Sequence, residues 1–298
     1  MVYRTTVARP ITVTGIGLHT GRKVRMTLAP ASPGQGVVFR RLDLGGRPIP
    51  AVPETLSSAT YATTLATDGA SVSTVEHLLS AVLGLGIDDL LVDLDGGEVP
   101  ILDGSAAPFV ALLEQAGRAV SSRPRQVIRI ERPLRVMDGN RSLLLEPHLR
   151  FSITYSIDFD GTFIGHSRGR FTLGEGDYAR DIAPARTFCC LDEVEALRQA
   201  GLAQGGSLRN ALVVDGKDLL NGPLRFADEF VRHKIRDLMG DLALLGRPIQ
   251  GRITVLRGGH ALHGRLVKTL MERPEAWSLQ PVRRPTVKVG RPPMAASA

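Results

Sequence analysis

The sequence predicts an α+β protein built as two halves, each a two-layer sandwich of strands and helices. Three observations point there. Strand-like segments precede helix-like segments in both halves, a short polar break falls at residues 119–126, and 298 residues suffice for two cores of ordinary size. Apolar residues at 43% and charged residues at 22% are the proportions of a folded chain rather than a disordered one.

Up to residue 60, apolar and polar positions alternate between turn signals, as in TVARPITVTGIGLHTG and GVVFRRLDLGGRPI. That period of two is the mark of short strands with one buried face. A first helix is expected over TVEHLLSAVLG, with Ser73 placed to cap it, Glu76 in position to complete a capping box, and Gly84 and Gly86 to stop it. DDLLVDLDGGEVPILDG then returns to strand and turn, and SAAPFVALLEQAG supplies a second helix ending at Gly117. AVSSRPRQ at 119–126 reads as an inter-domain linker because it is short, polar and broken by proline.

Beyond it, VIRIERPLRVM, SLLLEPH and RFSITYSIDF read as strands, followed by a loop-rich region and the helical run LDEVEALRQAG. The last strong helix is expected from near Asp228 through EFVRHKIRDLMGDLALL to Gly246, with Pro248 as the stop. GRITVLRGG follows as a strand and ALHGRLVKTLMER as a final helix. The resulting division is a first domain over 1–124, a second over 125–275 and a basic, proline-rich tail over 276–298, expected to be disordered. No direct sequence repeat relates the halves.

The net charge of +7 is uneven, since residues 1–124 hold 10 Lys+Arg against 11 Asp+Glu and the remainder holds 27 against 19. Part of the excess, Arg283, Arg284, Lys288 and Arg291, sits in the tail without aromatic interleaving, which argues against nucleic-acid binding and leaves a phosphorylated small substrate compatible. The first residues lack an apolar signal core, and no stretch approaches the ~18 apolar residues of a membrane span. The two cysteines, Cys189 and Cys190, are sequence neighbours and poorly placed to bond each other. A cytoplasmic protein without stable membrane insertion is the expectation.

The candidate chemistry starts on the helix beginning near Asp228. Residues four apart project from nearly one face, so His233 and Asp237 are spaced to present an imidazole and a carboxylate to one ion, although the same spacing also makes ordinary surface ion pairs. Asp241 continues the polar stripe on a helix otherwise rich in Phe230, Val231, Ile235, Leu238, Met239 and Leu242. Catalytic zinc takes three protein ligands and keeps one open position, and His77 in the otherwise apolar TVEHLLSA segment is the candidate third. Glu76 beside it is either a capping residue or the base that faces a metal-activated water. His260, in RGGHALHG, is either a helix-start histidine or a general acid. His19, His148, His166 and His263 carry no separate signal.

Taken together, GIGLHTG at 15–21, TVEHLLSA at 74–81, GEVPILDGSAAPF at 97–109, ARTF at 185–188, GGSLRNALV at 205–213, FVRHKIRDLMGDLALLG at 230–246 and GGHAL at 258–262 closely resemble the UDP-3-O-acyl-N-acetylglucosamine deacetylases of bacterial lipid A biosynthesis. The matches keep the family's order over roughly residues 1–275. The resemblance implies two similar α/β sandwich domains, each with an inserted subdomain and the active site between them. It implies a cytosolic, monomeric zinc amidase with one catalytic ion, acting on a UDP-linked acylated amino sugar in the committed step of that pathway.

It further implies zinc ligands at His77, His233 and Asp237, a general base at Glu76, an acid at His260 oriented by Asp241, an oxyanion-stabilising hydroxyl at Thr187 and a substrate-positioning Lys234. An insert from Phe188 through Ser207 would line an acyl passage with Leu191, Val194, Leu197 and Leu202, and Arg257 is a candidate phosphate contact. Two departures stand out: Cys189-Cys190 replace an expected glycine and aromatic residue, and His263 stands where asparagine is usual. Either departure raises the question of a second bound ion. The competing expectations are a zinc amidase for a different acylated nucleotide or amino sugar, and a non-enzymatic basic binding protein that rests on charge alone.

Overall fold

The computed structural model describes residues 1–283. The fold is α+β, and its two halves repeat one plan that the sequence alone does not display. In the first half, a five-stranded sheet runs in the spatial order Ile11–Ile16, Lys23–Ala29, Leu90–Leu94, Val37–Arg41, Arg47–Pro50. In the second the order is Leu134–Asp138, Arg141–Glu146, Arg252–Leu256, Ser152–Phe159, Gly165–Thr172. Each sheet has the same sequence of antiparallel, antiparallel, parallel and antiparallel pairings, with the central strand coming last in the chain.

In each half that last strand lies between two helices in the chain. The first half contributes α1 (Glu76–Gly84) and α2 (Ala107–Ala116). In the second, α3 (Tyr178–Asp181) and α4 (Leu191–Gln199) precede α5 (Glu229–Leu242) and α6 (His260–Met271). A small three-stranded sheet is inserted before the first long helix of each half: Leu56–Ser58, Thr64–Thr67 and Ala70–Val72 before α1, and Phe188–Cys190, Leu212–Asp215 and Asp218–Leu219 before α5. Alternation drives the sheets, since Val24, Met26 and Leu28 are buried while Lys23 and Arg25 face water. The matching inner row of the second half is Leu143, Leu145, Ile153, Tyr155, Ile253 and Val255.

The halves are joined by α1 packed on α5. Gly240 permits the approach: a Cβ there would lie 2.1 Å from the Glu76 carbonyl oxygen. Gly240→Ala is therefore expected to force the two helices apart, costing ~1–3 kcal/mol or more as overpacking does. Thermal melting with a bound-metal measurement checks this, and an unchanged melting midpoint would count against the contact.

Several sequence expectations need correction. Residues 119–126 are no linker, because Arg118–Pro124 is a strand paired antiparallel with Tyr3–Val7 and Gln126–Ile130 starts a further sheet. The polarity that suggested a linker reflects an edge strand with mostly solvent-facing side chains. The loop-rich region after Phe159 contains the strand Gly165–Thr172, disguised because Gly169 replaces an apolar side chain where Val231 and Ile235 of α5 press against it. Within the expected tail, Trp277–Pro281 pairs with Gln126–Ile130, and Trp277 Nε1 donates to the Leu270 carbonyl at 2.9 Å. Arg284, Lys288 and Arg291 lie outside the described residues. Ser73 does not cap α1, which starts at Glu76 after Val75; the Ser73 hydroxyl instead donates to Gly97 O at 3.3 Å.

Candidate metal centre

Nearly every residue of α5 is buried, including His233, Arg236, Asp237 and Asp241. Four polar side chains in a helix core are costly unless each finds a partner, so their partners define the site. α1 delivers His77 and Glu76 from its first turn, and α6 delivers His260 from its first residue. His77, His233 and Asp237 converge with one ligand atom each within 4.8 Å of the others. Nε2 of His233 lies 3.3 Å from Asp237 Oδ2, and Nε2 of His77 lies 3.9 Å from Asp237 Oδ1.

These donors suit a divalent ion such as zinc. Burial keeps both imidazoles neutral, holding their pKa well below the ordinary histidine value, so that lone pairs remain for ligation. Burial alone would favour a protonated Asp237, but the Arg236 guanidinium, with the His260 and Lys234 cations, holds it well below the usual carboxylate range. The 3.3 Å separation of His233 Nε2 and Asp237 Oδ2 equals about the edge of a tetrahedron whose metal–ligand bonds are ~2.0–2.1 Å long.

Arg236 is the buried cation beneath this cluster. It donates to Gly104 O and Ala185 O at 3.0 and 2.6 Å, to Asp237 Oδ1 at 3.0 Å, and to His77 Nε2 at 2.6 Å. Its last contact marks Nε2 as the bare nitrogen of His77, whose single lone pair serves either Arg236 or a bound ion, not both at once.

Around the triad, Glu76 does not cap its helix; Oε2 accepts from the Thr63 N–H at 3.1 Å, and Oε1 faces His260 Nε2 at 3.8 Å. Burial, with Asp241 and Asp237 adding to it against the opposing His260, lifts the Glu76 pKa to about 7. His260 Nδ1 meets Asp241 Oδ2 at 2.8 Å. Burial disfavours the imidazolium, but that contact and the nearby carboxylates overcome it and raise His260 to about 9.

A cavity of ≈ 1120 Å³ opens over these groups and takes in Glu76, His77, His233, Asp237 and His260. Thr187, Phe188 and Lys234 also line it. Lys234 Nζ lies 3.8 Å from Asp237 Oδ2 and 5.4 Å above the Phe188 ring, a cation–π distance. Thr187 is fixed across the halves, its N–H donating to Gly104 O at 2.8 Å. Glu229 at the start of α5 secures the preceding residue, accepting from Arg186 N and Nε at 3.0 and 2.8 Å.

One outer wall of the cavity is apolar. Leu191, Val194, Leu197 and Leu208 line it, as do both cysteines and Ser207, and Tyr61, Leu191, Leu208 and Leu220 are exposed large apolar residues at its wall. Leu202 is not part of the lining. Arg257 does line it, in a left-handed backbone conformation (φ 52°), and is ion-paired with Asp158 rather than free.

Sequence reasoning missed Arg236, Thr63, His19 and Glu98, and gave His263 only as a departure from the family pattern. Glu98 accepts from His19 N at 2.8 Å, Thr20 N at 2.9 Å and the Thr74 hydroxyl at 3.0 Å, so it ties the GIGLHTG loop to the entry of α1. His19 lines the cavity as a result. The GIGLHTG and GEVPILDG motifs were the available signal, but nothing in their spacing foretold that they meet.

Nearly the whole chain resembles one family of known proteins. The family model described as UDP-3-O-acyl N-acetylglycosamine deacetylase matches residues 4–272. A UDP-3-O-acyl-N-acetylglucosamine deacetylase of Myxococcus xanthus is 48% identical over 282 residues, covering 94% of this chain and 90% of the relative. One of Syntrophotalea carbinolica is 43% identical over 281 residues, covering 94% and 91%. One of Anaeromyxobacter dehalogenans is 44% identical over 272 residues, covering 91% and 88%.

Proposed function

Because this chain belongs to the UDP-3-O-acyl N-acetylglycosamine deacetylase family, we propose that its cavity hydrolyses the acetamide of UDP-3-O-acyl-N-acetylglucosamine, with zinc held by His77, His233 and Asp237. The products are acetate and the free glucosamine amine, in the biosynthesis of lipid A. One observation carries the reading: a single cavity joins the triad and its flanking Glu76 and His260 to an apolar wall of leucine, valine and phenylalanine side chains suited to an acyl chain.

When bound, the ion supplies Lewis acidity for the acetamide carbonyl and lowers the pKa of water. Glu76, buried and accepting only one backbone N–H, takes a proton from the attacking water. As the C–N bond breaks, His260 gives its proton to the departing nitrogen, and Asp241 keeps the imidazole turned so that Nε2 faces the reacting groups. The Lys234 ammonium and the Thr187 hydroxyl stand over the same cavity and favour the negative charge that develops on the carbonyl oxygen. Leu191, Val194, Leu197 and Phe188 take the acyl chain, and Ser207 and Arg257, the latter balanced by Asp158, contact the polar part of the substrate.

Among the described residues no helix is long and apolar enough to cross a membrane. The protein works as a monomer in the cytoplasm, since each half contributes its part of the site within one chain and the substrate carries a water-soluble nucleotide.

Acetate release from the UDP-linked substrate, and from the same acylated amino sugar without UDP, tests the reading. We expect release to require both the nucleotide and a divalent ion, to stop on chelation and to return with zinc. Equal release without UDP would overturn the substrate assignment, and full activity after metal removal would overturn the metal.

A further inference from the structure

His263 carries no role in the chemistry above, yet it is fully buried one helical turn after His260 and makes two directed contacts. Its Nδ1 lies 2.7 Å from Asp241 Oδ2, the same oxygen that His260 Nδ1 meets at 2.8 Å. Its Nε2 lies 3.1 Å from the Tyr155 hydroxyl on the central part of the second sheet. The other Asp241 oxygen accepts from the Thr63 hydroxyl at 2.5 Å.

Chemistry fixes the direction of each bond. An ionised carboxylate only accepts, so both imidazoles face Asp241 with N–H. Burial keeps His263 from carrying a second proton, and its pKa falls below the ordinary value even though Asp241 pulls the other way. Nε2 is then bare and accepts from Tyr155 O–H. Donation runs from Tyr155 to His263 to Asp241, and His260 donates to the same carboxylate from the cavity side.

This arrangement is a hydrogen-bonded cluster, not a second metal cradle. The two N···O separations of 2.7 and 2.8 Å are hydrogen-bond lengths, shorter than the ~3.3 Å expected between two donors on one tetrahedral zinc. The loop before α6 closes over it. A Cβ on Gly258 would lie 2.6 Å from the Tyr155 hydroxyl and 3.2 Å from His263 Nε2, so backbone rather than water covers the contact.

We propose that His263 is a positioning residue for the reaction: by donating to Asp241 Oδ2 while held by Tyr155, it fixes the carboxylate in the plane that receives His260 N–H. The His260 ring is thereby aimed with Nε2 3.8 Å from both Glu76 and Asp237, where the departing nitrogen must be protonated. The inference rests on the reading of His260 as the acid. Without the second donor the Asp241 carboxylate is held only by Thr63 on its other oxygen and by His260 itself, and the orientation of His260 loosens while substrate binding is untouched.

The test compares His263→Leu, His263→Asn, Tyr155→Phe and His260→Gln in the zinc-loaded enzyme, with metal content, kcat and KM measured for each. Asparagine keeps an N–H donor toward Asp241, whereas leucine does not. His263→Leu is expected to retain zinc and KM while kcat falls ~10–100-fold, the usual scale for a residue that orients a catalytic group, and His263→Asn is expected to recover most of that loss. Tyr155→Phe should show a smaller fall in kcat alone.

An unchanged kcat in His263→Leu, an equal loss in His263→Asn, or a rise in KM that accounts for the effect would overturn the proposal. Should His263→Leu fail to fold, ¹⁵N NMR of the native enzyme decides, since a His263 protonated at Nε2 rather than Nδ1 contradicts it. If His260→Gln retains full activity, the acid assignment itself has failed; if His260→Gln is inactive and His263→Leu is not impaired, only the role of His263 has failed.

Discussion

Asp237→Ala is expected to lose bound zinc and acetate release together, with activity falling at least ~10³-fold, because the ion's share of transition-state stabilisation is worth several kcal/mol. The carboxylate is the ligand that the other two surround: His233 Nε2 lies 3.3 Å from one of its oxygens and His77 Nε2 lies 3.9 Å from the other. Its removal also leaves the fully buried Arg236 without its carboxylate partner, which by itself destabilises the α1–α5 contact. His77→Ala is therefore the companion variant, since it deletes a neutral ligand and leaves the Asp237–Arg236 pair intact. Elemental analysis for zinc, run with the acetate assay and a melting curve, separates the effects. Retention of zinc and activity by His77→Ala would refute the ligand set.

The second large effect is expected in Glu76→Gln, where kcat should fall by ~10²–10⁴-fold, the range for loss of a positioned general base. Glutamine has nearly the same shape, and its amide oxygen still accepts from the Thr63 N–H, so the first turn of α1 and His77 should stay in place. Zinc content and KM should then be close to those of the parent enzyme, which identifies a loss confined to the transition state. Loss of zinc in this variant would make Glu76 part of the metal site instead, and unchanged kcat would remove it from the mechanism.

The two outcomes are complementary. His77 and Glu76 are adjacent in sequence and both buried, yet one change is predicted to remove metal and the other to spare it. Their different surroundings explain why. His77 points at Asp237 and Arg236, whereas Glu76 faces Thr63 and His260.

Much of this was legible before the fold. The i,i+4 spacing of His233 and Asp237 needs only the geometry of a helix, and the apolar residues around them place that helix in a core. The alternating segments gave most strands of both sheets, and Gly117 gave the end of α2; Gly246 instead closes the 3-10 turn Ala243–Leu245 that follows the end of α5 at Leu242. The motif set supplied the family and with it the expected roles of Glu76, His260, Thr187 and Lys234. The strand Gly165–Thr172 was hidden because a helix packs directly on Gly169, and the strand Arg118–Pro124 because its exposure gives it the composition of a linker.

By itself, then, the sequence determined which residue types were available, the helix that aligns two of the ligands, and the family. Only the tertiary structure decided which groups meet. Glu76 was equally consistent with a helix cap until Thr63, from a different strand connection, was found to occupy one of its oxygens. His263 was legible only as a departure from the family's usual asparagine until α6 placed it on the oxygen that His260 uses and the second sheet put Tyr155 behind it. The physical reason is range. Periodicity and capping act within a few residues along the chain, whereas the charge state, tautomer and aim of a buried side chain are set by neighbours brought from as many as 197 positions away, as between Thr63 and His260.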